Sequence, residues 1–201
     1  MPLPPPECPR TPMHTRSVRI DAFKRDDGAW DLEAELQDTK PFDCPLNTRV
    51  FPADAPIHLM RLRVTVDRAY NVLDAIAVTD ARPYEGVCER ITPDYRRLIG
   101  LNLVRGFRAG LRERLGGTAG CTHMSELAQL LPTAAVQAAA GDAELRRAVT
   151  DPNARVRPMQ IDKCHALRAD GPMVALYYPK WHRPVDAEAD AGSTSCVSNE
   201  E

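Results

Sequence analysis

Two stretches of this chain alternate apolar and polar residues with a period of two. In the first, Val18, Ile20 and Ala22 are separated by Arg19 and Asp21; in the second, Trp30, Leu32, Ala34 and Leu36 are separated by Asp31, Glu33 and Glu35. That period puts successive side chains on opposite faces of a strand, and no helix can gather them onto one stripe. Asp26-Asp27-Gly28 lies between the runs, so the pair is expected to form a β-hairpin. A second pair follows: Met60, Leu62, Val64 and Val66, a turn around Asp67 to Asn71, then Val72, Asp74, Ile76 and Val78. The charges opposite the first apolar face (Arg19, Asp31, Glu33, Glu35) read as a solvated sheet face. His14, Arg16, Arg25, Asp38 and Lys40 are expected to meet at one end of the first hairpin and to rim a polar pocket.

A sheet with one apolar face needs a covering layer. Thr92-Pro93 reads as a helix start, and Tyr95, Leu98, Leu101, Val104, Phe107, Leu111 and Leu115 continue as an apolar stripe. Gly100, Gly106 and Gly110 within it suggest close approach to a neighbouring element. A further helix is expected from Thr122 to about Ala140, kinked at Pro132 and ended by Gly141, with another short helix over Asp142 to Val149. Residues 41–56 read as a loop, and Met173 to Tyr178 as a short strand. The fold expected is α+β: an antiparallel meander of about four strands packed on two or three helices. Residues 1–12, rich in proline, read as a disordered arm, 13–182 as one domain, and 183–201 as a disordered acidic tail.

Composition removes some classes of function. The net charge is −2, so no global basic field points to nucleic acid. No apolar run is long enough to span a bilayer, and the start of the chain lacks the apolar segment of a signal peptide. Six cysteines are widely spaced without a CxxC pair, which suits a cytoplasmic protein with reduced thiols. The sequence leaves room for a homodimer. Arginine far outnumbers lysine, and its planar fork suits carboxylates.

The densest chemistry lies in Gly116-Gly117-Thr118-Ala119-Gly120-Cys121-Thr122-His123-Met124-Ser125-Glu126. A helix starting at Thr122 would aim its free N–H groups at Cys121 and favour the thiolate. His123 and Glu126, three apart, would share a helical face. The plainer reading is a glycine-shaped helix start with a buried cysteine and a surface histidine. In the chemical reading, Cys121 and His123 ligate zinc or iron, and Glu126 orients His123 or acts as general base. A metal-free version uses Cys121 as nucleophile with His123 or His165 as base. Arg16, Arg25 or Arg105 would hold a carboxylate of the substrate. Cys164-His165 is a competing ligand pair.

The blocks Arg25-Asp26-Asp27-Gly28-Ala29-Trp30-Asp31-Leu32-Glu33-Ala34, Pro56-Ile57-His58-Leu59-Met60-Arg61-Leu62 and Gly120-Cys121-Thr122-His123-Met124-Ser125-Glu126-Leu127 resemble the bacterial domain-of-unknown-function family 2889. The likeness covers roughly residues 13–140, with Met124 where leucine is the family's expected residue, and it implies no settled activity. A looser likeness in element order links the chain to IscU-type iron–sulfur scaffold proteins. There a ligand precedes a hairpin, a cysteine follows it, and a His-Cys pair starts a later helix. Carried over, this implies a metal held by His58, Cys88, Cys121 and His123, with the His-Cys order inverted here and the N-terminal hairpin extra.

Three functions follow as expectations. The first is a metal-dependent hydrolase or lyase acting on a small organic acid or its thioester. The second is a metal or iron–sulfur carrier without turnover. The third is a non-catalytic interaction domain.

Overall fold

The computed structural model describes residues 2–46, 49–143 and 156–184. The chain divides into two compact units, Met1–Ala139 and Ala140–Glu201. In the first, residues 2–12 carry neither helix nor strand and are exposed.

The alternating runs form the strands they predict. β1 (Thr15–Lys24) and β2 (Trp30–Thr39) pair antiparallel from Thr15↔Thr39 to Lys24↔Trp30. Asp27 closes the turn by accepting the Ala29 N–H at 3.1 Å. The expected loop at 41–56 contains a small ladder, β3 (Cys44–Pro45) with β4 (Val50–Phe51), whose Cys44 and Phe51 pack with Ile57. β5 (His58–Val66) and β6 (Val72–Ala81) form the second hairpin. The main sheet has the order β1-β2-β5-β6, an antiparallel meander.

On β2 and β5 the two faces differ as the alternation requires; on β6 the expected Ile76 and Val78 are exposed, and Ala75 and Thr79 follow Val72 inward because the register shifts opposite Thr65 and Val66. Leu32, Leu36, Met60, Leu62 and Val64 are at most 2% exposed and form one core with helical residues. Burying each such side chain contributes roughly 1.5–3 kcal/mol, so a one-residue register slip would be heavily penalised. The outer face is more than solvated charge. Arg63 Nε donates to Glu33 Oε1 at 2.8 Å, Arg61 Nε to Glu35 Oε2 at 2.7 Å, and Arg61 also pairs with Asp80. Thr65 Oγ1 donates to Asp31 Oδ1 at 2.6 Å, so polar pairs link neighbouring strands.

The single helix expected over 92–115 is two elements. A 3-10 segment spans Cys88–Leu98 and α1 spans Phe107–Leu115. The break is local: Gly100 (φ 84°) and Gly106 (φ 69°) adopt left-handed angles incompatible with a continuing helix. Space for close approach explains only Gly110, where an added Cβ would lie 2.5 Å from a Leu101 methyl. Most of the apolar stripe still faces inward, with Tyr95, Leu98, Phe107, Leu111 and Leu115 buried; at the break Leu103 is buried while the expected Leu101 and Val104 are half-buried. α2 (Thr122–Gly141) starts and ends where expected but continues through Pro132, giving up the hydrogen bond that proline cannot donate.

In the second unit, the strand expected at 173–178 is a helix, α3 (Pro172–Tyr177). Pro172 at its first turn presets a helical φ, and Val174 turns inward onto Ile161 and Ala169. The helix expected over Asp142 to Val149 and the tail from 185 onward fall largely or wholly outside the described residues.

Candidate metal centre

The inward parity of three strands runs past their last apolar residue at one end of the sheet. On β2 the sequence of inward positions is Leu32, Ala34, Leu36 and then Asp38; on β5 it is Val64, Leu62, Met60 and then His58. On β1, Arg16 and then His14, just before the strand, continue the phase of Val18. Register aligns Arg16 with Asp38 and Asp38 with His58, so three polar residues form one cross-strand row at the edge of the core.

Asp38 is its centre and is 2% exposed. Arg16 grips it with a two-pronged fork, donating from Nε to Oδ1 at 2.7 Å and from Nη2 to Oδ2 at 2.9 Å. His14 Nε2 lies 3.3 Å from Oδ1, and His58 Nδ1 lies 3.1 Å from Oδ2.

The start of α2 supplies the remaining side chains. Gly120 lets the chain pass close to the end of α1: a Cβ there would sit 2.2 Å from the Leu115 carbonyl oxygen. The buried Tyr95 hydroxyl pins the turn, accepting the Cys121 N–H at 3.0 Å and lying 2.9 Å from Ser125 Oγ. His123 then stacks on His58 with ring centroids 3.9 Å apart, and its Nε2 is 3.7 Å from Asp38 Oδ2. Glu126, on the same helical face, takes a 2.5 Å bond from Arg16 Nη1. Cys121 Sγ sits 3.9 Å from His123 Nδ1 and 3.9 Å from Met60 Sδ.

Each group is tuned by its neighbours. Burial opposes ionisation of Asp38, yet the Arg16 fork and the adjacent histidines hold its carboxyl below the ordinary range. Burial and the nearby His123 lower His58, against the pull of Asp38, which favours its neutral ring. Burial raises Cys121, but the His123 ring and the backbone N–H groups of Met124 and His123 outweigh it and bring the thiol down. His123 is raised, first by Cys121 and also by Asp38, against burial.

The donor atoms of Asp38, His58 and His123 all lie within 4.8 Å of one another, the group of that kind found among the described residues. One carboxylate and two imidazoles suit zinc or ferrous iron, with Arg16 and His14 as outer-shell partners of the carboxylate. The residues therefore fit a small divalent cation.

The expected site residues divide sharply. His58, Cys121, His123, Glu126 and Arg16 come together, but Cys121, expected as a ligand, is not in the three-donor group and lies 3.9 Å from His123 Nδ1. Cys88 opens the 3-10 segment after β6, its N–H donated to the Tyr84 carbonyl, and is not in the three-donor group. Arg25 does not share the Arg16 end; it sits at the β1–β2 turn, paired with Asp27 and Asp31, because the two ends of a hairpin strand lie at opposite edges of the sheet. Arg105 lies at that far end too, in a turn whose Asn102 bridges to Asn71. Cys164 and His165 are exposed residues of the second unit, beside a 3-10 turn. Glu126 meets Arg16, and His123 has Cys121, Asp38 and the His58 ring as its neighbours. Sequence reading placed Asp38 only on a rim; its inward parity after Leu36 is the signal that marks it as a buried centre.

These features define an α+β domain with a histidine–carboxylate centre at one end of an antiparallel meander. The chain belongs to the family described as protein of unknown function (DUF2889), whose model matches residues 14–137, within the first unit. No curated protein and no solved structure matches the chain significantly, so the likeness to iron–sulfur scaffolds gains no support. Among the described residues, no helix is long and apolar enough to cross a membrane.

Proposed function

We propose that this protein is a metal-dependent hydrolase or lyase acting on a small organic acid or its thioester. One observation carries the reading: the donors of Asp38, His58 and His123 converge within 4.8 Å around a buried carboxylate already oriented by Arg16. Zinc or iron bound there would polarise a carbonyl or lower the pKa of a bound water. Three protein donors leave coordination open, as a catalytic rather than a storage site requires. Arg16 fixes the Asp38 carboxylate. Glu126, half exposed beside it, is the proton acceptor facing the groove described below. This open groove favours turnover over the carrier alternative.

A second reading draws on a separate observation. Cys121 Sγ, His123 Nδ1 and Nε2, and Asp38 Oδ2 form a continuous series with gaps of 3.9 and 3.7 Å, the order nucleophile, base, orienter. The two are separated by screening small acids and acyl thioesters with purified protein before and after chelation. Turnover lost on chelation, restored by zinc or ferrous iron, and reduced at least about hundredfold in Glu126→Gln is the expected result. Turnover that resists chelation but is abolished by Cys121→Ser would replace the metal reading with the thiol one.

A further inference from the structure

Beside the candidate centre, a groove of about 420 Å³ opens between β1, β2, α1 and α2, within the usual range of small-molecule sites. Its wall is aliphatic: Val18, Leu36, Leu127 and Leu130. Val18 and Leu130 are 40% and 45% exposed, apolar surface left to solvent within the groove. Its polar residues include Arg16, Glu126 and Arg108. They are not equivalent. Arg16 is already engaged, one guanidinium shared by the carboxylates of Asp38 and Glu126. Arg108, on α1, has no hydrogen bond or ion pair with any described residue. The groove thus pairs an aliphatic wall with one unanswered guanidinium.

We propose that the groove binds an aliphatic monocarboxylate, its carboxylate on Arg108 and its chain along Val18, Leu36 and Leu130. One unanswered positive charge matches one carboxylate, and an arginine fork suits that group's planar geometry. The wall rewards a chain of several methylenes, since each buried CH₂ favours binding. The role as a substrate site rests on the acid-directed function proposed above; the binding itself does not require the metal.

The test is calorimetric titration of the full chain with hexanoate, acetate and 1-hexanol, before and after chelation. Saturable hexanoate binding is expected in both states, with acetate and hexanol at least about tenfold weaker, because each lacks one half of the recognition. Arg108→Gln and Leu130→Asp, both at exposed positions, are expected to keep the wild-type melting temperature and to weaken hexanoate at least about tenfold. Absence of saturable binding, or binding unchanged in both variants, would overturn the assignment. Hexanoate binding that vanishes on chelation would overturn it too, placing the carboxylate on the metal and leaving the metal reading intact. Saturable binding by protein that takes up neither zinc nor iron would uphold the groove while the metal reading fails.

Discussion

Two aspartates sit at opposite ends of the sheet and do different work. Asp67 follows β5 and closes the turn into β6. Its carboxylate accepts N–H groups from Ala69 at 2.9 Å and Asn71 at 2.8 Å, and the Asn71 side-chain amide at 2.8 Å. Every one of these partners lies within four residues. Asp38, at the other end, draws Arg16, His14, His58 and His123 from β1, the segment before it, β5 and α2. Both carboxyls are held below the ordinary range, against burial, but by different means: Asp67 by neutral amide donors of its own turn, Asp38 chiefly by a guanidinium from another strand. An aspartate that satisfies its own turn is architecture. One that gathers cationic and imidazole groups from distant elements into a buried cluster is the arrangement on which the metal proposed above would rest.

The largest difference should appear on removing each charge. Asp38→Asn leaves the Arg16 fork facing a neutral amide and is expected to destabilise by about 3 kcal/mol in urea unfolding of chelated protein. Asp67→Ala forfeits turn hydrogen bonds and is expected to cost about 1–2 kcal/mol. Equal losses would break the comparison.

Glycines at the two ends give a second contrast. Gly120→Ala places a Cβ 2.2 Å from the Leu115 carbonyl oxygen, so the start of α2 must shift, at about 1–3 kcal/mol and with weakened metal binding. Gly28→Ala in the β1–β2 turn meets only Arg68 Nε, at an ordinary 3.8 Å, and suffers from its φ of +86°, about 1–2 kcal/mol, with metal binding untouched. Zinc titration of both variants sharpens the distinction.

The smallest effect concerns pH. His58 is lowered from 6.5 when folded, so below pH 6.5 the unfolded chain takes up that proton first and stability falls with falling pH. His123 is raised from 6.5 and acts oppositely, its contribution lost as pH rises above that value. In chelated protein, His58→Gln should flatten the acid-side decline and His123→Gln the neutral-side decline, as read from melting temperatures between pH 5 and 8. Below pH 3.8, protonation of the unfolded chain removes the contributions of Asp38 and Asp67 together.

Local patterns made much of the fold legible. Alternation with Asp-Gly and Asp-rich turns specifies both hairpins, because a strand's period and a turn's chemistry are properties of adjacent residues. The helix start at Thr122 was legible for the same reason. The split of the 92–115 helix was not, because apolar spacing survives a break and only the backbone angles of Gly100 and Gly106 reveal it. Of the site, Cys121, His123 and Glu126 were visible as a cluster on one helical face. His58 was reached through the likeness to iron–sulfur scaffolds, a route that also brought in Cys88, which stands apart from the three-donor group. Asp38 needed one further step, following each strand's inward phase past its last apolar residue. Arg25 and Arg105 lie away from the site: Arg25 adjoins the β1–β2 turn, at the other end of the hairpin from Arg16, and Arg105 lies in the turn before α1, which the expected continuous helix had hidden.

The central claim is that Asp38, His58 and His123 hold a metal, and elemental analysis of anaerobically purified, untagged protein tests it most directly. About one zinc or iron per chain is expected, lost in His58→Ala and in His123→Ala and retained in Cys88→Ser. Protein that carries no metal and takes up neither zinc nor iron, or metal retained in both histidine variants, would contradict it.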